Sequence, residues 1–368
     1  MTPTVLFAGG GTGGHIFPAL AIAEHLRKIA DIRVHFLCSN RAIDAKILSE
    51  AGEGFTITPA TPFSLSPARL VKFARGWHPS LSIITDVMEK SGLHTLVVAM
   101  GGFVAAPAVA AAKNTVPVVL VNLDAEPGRA NQWIAKRAAV ILSAAHVERT
   151  NWQNIPPIVR STAIADAPAS ECRARFGLDR ESPTLFVTGG SLGARSLNQL
   201  ATALADHHRD VYHAGKWQVI HQAGAEAVTE VRARYQSAGV RAVVEPFIAR
   251  MGDAWGAADL ALSRAGAGSV AEAWANRTPT VFMPYPYHKD QHQRRNAERL
   301  VKAGAAVLCN DAIDPEANLR EAGRAVLDMM RHDASRRRSR EAYAALGAVD
   351  GAAQAAVCIH KAFSLCQA

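Results

Sequence analysis

His15 closes the run Gly9-Gly10-Gly11-Thr12-Gly13-Gly14, with Pro18 and Ala19 just beyond it. An imidazole titrates near neutrality and can take a proton from a hydroxyl group, so a histidine at the end of a glycine turn could do acid–base chemistry on whatever the turn binds. The glycines leave backbone N–H groups free to approach an anion, and a helix starting at their end adds the positive end of its dipole. A second glycine turn, Gly189-Gly190-Ser191-Leu192-Gly193-Ala194, heads the other half of the chain. Further on, Glu272 follows the small-residue turn Ala265-Gly266-Ala267-Gly268 within the first turn or so of a helix. A carboxylate there can cap the helix or hold a vicinal diol, and the residues alone leave both open. The segment Tyr285 to Ala297 crowds hydrogen-bonding side chains at a strand end, which suits a polyhydroxyl ligand. Its rival, a His/Asp/His metal site, fits less well because amide and basic groups outnumber metal ligands.

These residues need elements to hold them. Thr4–Ala8 is an apolar run of strand length, and Leu20–Leu26 returns apolar residues at helical spacing. Arg33–Cys38, Leu96–Met100, Val116–Asn122 and Val140–Leu142 read as further strands alternating with helices, the pattern of a parallel doubly wound sheet. Gly101-Gly102, at the end of the Leu96–Met100 strand, is either a second place where backbone faces a ligand or only a tight turn. The polar loop Asp124 to Asn131 opens another helix. Between Asn151 and Pro168 the pattern breaks into Pro-rich sequence suited to a linker. Thr184–Thr188 then repeats the opening strand and glycine turn, so each half reads as its own Rossmann-like domain with its ligand edge at the carboxyl ends of the strands. The expected division is 1–158, 159–340, and a helical tail, 341–368, returning to the first domain. Gly9, Gly11 and Gly14 satisfy a dinucleotide fingerprint, but no carboxylate follows the second strand until Asp44, which disfavours NAD. Leu70, Phe73 and Trp77 share one face of a helix with Arg69, Lys72 and Arg75 beside them, which suits either a lipid interface or a core-facing helix.

Composition bounds the rest. The chain has 368 residues, enough for two cores, and a formal net charge of +8 that favours polyanionic partners. With no run of 18 apolar residues and no secretory n-region in the sequence, a membrane-spanning segment is not expected. Five scattered cysteines without C-x-x-C spacing fit a reducing cytoplasm. No helix-turn-helix, RNP or zinc-finger pattern supports nucleic-acid binding.

Gly10 to His15 with Pro18-Ala19, Met100 to Phe103, Gly189-Gly190-Ser191, Phe247-Ile248, Arg264 to Glu272, and His288-Lys289-Asp290 through Asn296-Ala297 together resemble the MurG family of bacterial glycosyltransferases. The resemblance runs in order over nearly the whole chain. It implies the α/β GT-B fold, two Rossmann-like domains across a cleft, and inverting transfer of N-acetylglucosamine from UDP-N-acetylglucosamine to the 4-hydroxyl of undecaprenyl-linked muramyl-pentapeptide diphosphate, lipid I. The product is lipid II, for peptidoglycan and hence cell shape and division, and no metal or other cofactor is required. It further implies that the Phe247-Ile248 backbone meets the uracil, Ser191 and the Ala267-Gly268 turn the diphosphate, Glu272 the ribose, and Asp290, His292 and Gln293 the sugar, with Arg264 among the donor residues. The acceptor falls to Gly11, Thr12, Gly13, Gly14, Gly101, Gly102 and Asn131. The stretch around Leu70, Phe73 and Trp77 corresponds to a docking patch for the anionic cytoplasmic face of the inner membrane.

Departures cluster in the expected cleft. A His-Glu-Gln-Asn run becomes Val121-Asn122-Leu123-Asp124, Gly-Ser-Gln-Gly becomes Gly190-Ser191-Leu192-Gly193, and a Gly-Asn-Pro-Val-Arg motif becomes Ser161-Thr162-Ala163-Ile164-Ala165. Phe103 stands for a tyrosine and His292 for a glutamine. With the family's Glu replaced by Asn122, His15 is the leading candidate base and Asp124 the second. The alternatives are transfer to another glycolipid acceptor, or a UDP-sugar-binding relative without catalysis.

Overall fold

The apolar runs form two parallel sheets in a computed structural model that describes residues 2–11, 13–63, 66–92, 94–113, 115–287 and 291–365. The chain divides into two compact units, Met1–Arg160 with Asp350–Ala368, and Ser161–Val349.

In the first unit the strands are β1 (Thr4–Ala8), β2 (Arg33–Ser39), β3 (Phe55–Thr58), β4 (Thr95–Ala99), β5 (Val118–Asn122), β6 (Val140–Ser143) and β7 (Gln153–Asn154), in the order β3-β2-β1-β4-β5-β6-β7. The helices between them are α1 (Gly13–Ile29), α2 (Ala42–Glu50), α3 (Pro67–Ser91), α4 (Gly102–Ala111) and α5 (Arg129–Ala135). Strand residues alternate between two cores: Val5, Phe7, Leu96 and Val98 on one face, Leu6, Ala8, Val97 and Ala99 on the other. Helices cover both faces, which is why β1, β4 and β5 are apolar along almost their full length. The strand order reverses between β1 and β4, whose last residues, Ala8 and Ala99, lie side by side. A crevice at such a switch point is where an open α/β sheet binds ligands. The turns 9–14 and 101–102 both leave from it.

The second unit repeats the plan with β8 (Thr184–Thr188), β9 (Gln218–Gln222), β10 (Ala242–Glu245), β11 (Leu260–Ser263), β12 (Thr280–Phe282) and β13 (Ala306–Leu308), in the order β10-β9-β8-β11-β12-β13. Its helices are α6 (Ala169–Arg175), α7 (Arg195–His207), α8 (Arg209–Ala214), α9 (Val228–Ala238), α10 (Met251–Ala257), α11 (Ala267–Ala275), α12 (His292–Lys302), α13 (Pro315–Asn318), α14 (Arg324–Arg331) and α15 (Asp333–Ala345). Here the order reverses between β8 and β11, with Thr188 beside Ser263, and the turns 189–194 and 265–268 leave from that point.

Three strands were not legible in the sequence pattern: β3, β7 and β13. Each lies at a sheet edge and is only two to four residues long. The region 151–168, expected as linker, holds β7, where Gln153 and Asn154 pair with Leu142 and Ser143 of β6. In the C-terminal segment, α15 belongs to the second unit, with Tyr343 wholly buried there. The last helix, α16 (Gly351–Leu365), returns to the first unit and packs against α1.

Candidate active site

In the first unit the opening turn is closed on itself more than the sequence suggested. Gly11 has a φ of +90°, and a methyl group there would lie 2.6 Å from Phe103 Cε1, so only glycine fits. Its N–H, expected to be free for a ligand anion, donates to Asp44 Oδ2 at 2.6 Å. Asp44, wholly buried at the start of α2, also receives the Ser39 N–H at 3.2 Å and the Ser39 hydroxyl at 2.5 Å. A buried carboxylate needs such donors, and the turn's N–H groups supply one. Burial and the Asp44 charge together push the neighbouring Cys38 thiol up to about 12. The Arg41 guanidinium donates to the Gly11 carbonyl and stands 5.7 Å from the Phe103 ring. This brings a cation to the turn.

His15 sits in the first turn of α1, half-buried, with Nδ1 3.3 Å from the Gly10 carbonyl oxygen. A carbonyl only accepts, so that contact puts the proton on Nδ1 and leaves the Nε2 lone pair of the neutral ring as the basic site. The ring lies on Gly102: a methyl there would come 3.0 Å from Cε1, and Gly102 has a φ of +75°. Asn131 of α5 stands behind Gly101, its Oδ1 buried and without a partner, and its Nδ2 donating to Asn122 Oδ1 at 2.9 Å. Asn122 is wholly buried and donates to Ser143 Oγ at 2.9 Å and to the Asp124 carbonyl at 2.7 Å. The switch point thus gathers His15, Gly101, Gly102 and Asn131 beside Gly11 and Gly13, while Gly14 is exposed on α1. Thr12 lies outside the described residues.

In the second unit one amide organises the site. Gln222, 2% exposed at the end of β9, donates through Nε2 to the Gly190 carbonyl at 2.8 Å and to Thr188 Oγ1 at 3.2 Å. Its Oε1 accepts the Ile248 N–H at 2.8 Å, so that N–H is already engaged. Gln222 therefore ties the glycine turn to the Phe247-Ile248 loop, a role that no sequence motif announced. Ser191 and Phe247 are exposed beside it. Arg264 is buried and spent on the unit itself: it donates to the Met283 carbonyl at 2.9 Å and to Ser196 Oγ at 2.8 Å, and pairs with Asp311 at 2.8 Å. Burial alone would raise the Asp311 carboxyl, but hydrogen bonds from Ser196, Asn318, the Ile313 N–H and Arg264 outweigh it and hold the group below its ordinary value.

Helix α11 begins at Ala267, with no acidic residue in its first turn. Glu272 therefore lies in the second turn and does not cap the helix, because the helix starts earlier than the expected register. Its Oε2 accepts the Trp255 indole N–H at 2.8 Å. Ala267 and the exposed Gly268 line the start of that helix. Gln293 Oε1 accepts the Tyr285 N–H at 2.8 Å, His292 opens α12, and Asn296 Nδ2 reaches the Ala265 carbonyl at 3.4 Å. These bonds hold α12 to the ends of β11 and β12. Asp290, with His288 and Lys289, lies outside the described residues. Among the described residues no group of three or more His, Cys, Asp and Glu could hold a metal ion.

The amphipathic stretch is the first half of a 25-residue helix, α3, whose buried residues are Gly76, Ser80, Ile84 and Met88. From Pro67 to Arg75 the helix buries no residue. Leu70 and Val71 are exposed, and Phe73 packs against Phe63 and Trp77 at ring-centroid distances of 5.3 Å each. No helix among the described residues is long and apolar enough to cross a membrane.

With this geometry in place, comparison with known proteins finds the glycosyltransferase family 28 N-terminal domain over residues 5–143 and its C-terminal domain over residues 184–354. A Nocardioides protein named as a UDP-N-acetylglucosamine–N-acetylmuramyl-(pentapeptide) pyrophosphoryl-undecaprenol N-acetylglucosamine transferase is 37% identical over 84% of this chain and 85% of its own. One of the same name from Geobacter sulfurreducens is 33% identical over 90% of this chain and 95% of its own. Among solved structures, Acinetobacter baumannii MurG superposes with a TM-score of 0.71 at 23% identity, covering 98% of this chain and 99% of that one. The calicheamicin glycosyltransferase CalG4 superposes with a TM-score of 0.66 at 16% identity, covering 99% and 98%.

Proposed function

The chain belongs to glycosyltransferase family 28, and on that footing we propose that it transfers N-acetylglucosamine from UDP-N-acetylglucosamine to the 4-hydroxyl of lipid I, with inversion at the sugar carbon. The observation that carries this reading is that relatives bearing that one activity match the chain over 84% and more of its length, across both units. The fold is GT-B, as in the superposed glycosyltransferases.

The first unit takes the acceptor. Its diphosphate lies against the turns 9–14 and 101–102, with Arg41 as counter-charge, and its hydroxyl meets His15. The acceptor oxygen attacks the anomeric carbon as the bond to UDP breaks. His15 Nε2 takes the hydroxyl proton, and the departing diphosphate keeps the bonding electron pair. Asn122, which stands where the family's glutamate is expected, is held in its amide network and cannot serve as a base. The second unit takes the donor: uracil at the Phe247-Ile248 loop, diphosphate at Ser191 and the turn 265–268, ribose at Glu272, and sugar hydroxyls at the start of α12 near Gln293. Backbone N–H groups and helix N-termini at those turns meet the charge on the leaving diphosphate, so no metal is needed in this scheme. Docking through the exposed α3 patch, with its basic neighbours, places the protein peripherally on the anionic cytoplasmic face of the membrane, where the lipid acceptor resides.

The test is transfer of radiolabel from UDP-N-acetylglucosamine to a short-chain lipid I. Transfer to a different glycolipid, and not to lipid I, would reassign the acceptor. UDP-sugar binding with no transfer to any acceptor would remove catalysis.

A further inference from the structure

Trp255 is wholly buried on α10, with its ring edge-on to Phe186 of β8 at 5.0 Å. Its indole N–H, a donor only, leaves the core to reach Glu272 Oε2 at 2.8 Å. The backbones of both partners are fixed as well. Thr278 Oγ1 donates to the Trp255 carbonyl at 3.1 Å, and Asn276 Nδ2 donates to the Glu272 carbonyl at 2.8 Å. A half-buried glutamate has three side-chain torsions to settle. A hydrogen bond from a ring that cannot move narrows those settings to the ones that keep Oε2 on the indole N–H. Each carboxylate oxygen has two acceptor sites, so an oxygen that receives the indole still receives a hydroxyl.

We propose that Trp255 is a positioning residue for the donor nucleotide: its indole N–H holds the Glu272 carboxylate in the orientation that accepts the ribose hydroxyls. This rests on the assignment of Glu272 to the ribose. A tryptophan that only fills the core would have no effect on how the protein tells one sugar of the nucleotide from another. The hydrogen-bond role makes Trp255 matter for the ribose hydroxyls alone.

The experiment measures calorimetric affinities of the full chain for UDP and for 2′,3′-dideoxy-UDP, with Trp255→Phe, Glu272→Gln and the double variant. Phenylalanine keeps the ring against Phe186 and removes the donor. The wild type is expected to prefer UDP by about tenfold, the scale of one charge-assisted hydrogen bond. Trp255→Phe should lose most of that preference with its affinity for 2′,3′-dideoxy-UDP unchanged, and the double variant should match Glu272→Gln. A Trp255→Phe protein that keeps the full preference while Glu272→Gln loses it overturns the proposal and leaves the ribose assignment standing. A Glu272→Gln protein that keeps the preference overturns the assignment itself, and the proposal with it. If the phenylalanine variant does not fold, the wild-type Trp255 indole N–H resonance serves instead. It should shift on adding UDP and stay in place with 2′,3′-dideoxy-UDP, and an equal response to both nucleotides overturns the proposal.

Discussion

In the proposed reaction, the contact between His15 Nδ1 and the Gly10 carbonyl leaves the Nε2 lone pair of the neutral ring to serve as the base. Removing it should lower kcat by about 10²- to 10⁴-fold, the usual scale for a general base. His15→Ala assayed with purified lipid I checks this, and near-wild-type turnover would pass the role to Asp124. The histidine and its glycines could be picked out from the sequence because local spacing defines them. Asp44, Arg41, Gln222 and Trp255 could not. Asp44 reaches Gly11 across 33 positions, and Gln222 reaches Ile248 across 26. Nothing local marks a side chain whose partner is supplied by the closing of a sheet.

The same distinction holds for whole elements. Strands buried on both faces carry continuous apolar runs and were legible. The edge strands β3 and β7 are short and partly or fully exposed, so no hydrophobic period marks them. Periodicity found the amphipathic start of α3 but could not tell a core face from an outward one. In the structure the aromatic trio Phe63, Phe73 and Trp77 lies outside the core, beside exposed Leu70 and Val71. Phe73→Ser with Trp77→Ser should therefore weaken sedimentation with anionic vesicles at least severalfold while leaving the thermal midpoint nearly unchanged. A large fall in the midpoint with vesicle binding intact would return those residues to a packing role. Deeper in the second unit, His221 of β9 bridges α7 and α9, with Nε2 3.0 Å from Asn198 Oδ1 and Nδ1 3.0 Å from the Tyr235 hydroxyl. Burial pushes its pKa down to about 3. An unfolded histidine takes its proton near pH ~6.5, so below that value the unfolded state binds more protons and stability falls with the pH. The loss approaches about 1.4 kcal/mol per pH unit until the folded pKa is reached, and above pH ~6.5 this contribution is flat. Urea unfolding of the wild type between pH 7 and 5 should show the slope, and His221→Gln should flatten it. An unchanged slope in the variant would assign the acid sensitivity elsewhere.

At the scale of the molecule, two strand–glycine turn–helix units heading two halves were enough to read a duplicated architecture. The way the chain closes was harder to read in detail. The first unit is completed by residues from the far end of the sequence: α16 buries Ala352, Ala355, Ala356, Ile359, Ala362 and Phe363 in the same core as Val5, Phe7 and α1. An alanine-rich helix of 15 residues is marginal in isolation, since helices shorter than about 12–15 residues barely form in water. Its order comes from that packing, and the core in turn needs it to cover α1. Ile359 is wholly buried there. Ile359→Ala should cost about 2–5 kcal/mol, the range for removing such a side chain from a core. Because the contacts of α16 lie in the first unit, the loss should appear in that unit's unfolding transition, while the transition of residues 161–349 keeps its midpoint. Hydrogen exchange followed through urea unfolding resolves the two. Destabilised protection in β1 and β4 with unchanged protection in β8 and β11 is the expected pattern, and an equal loss in both sheets would mean that the units unfold as one.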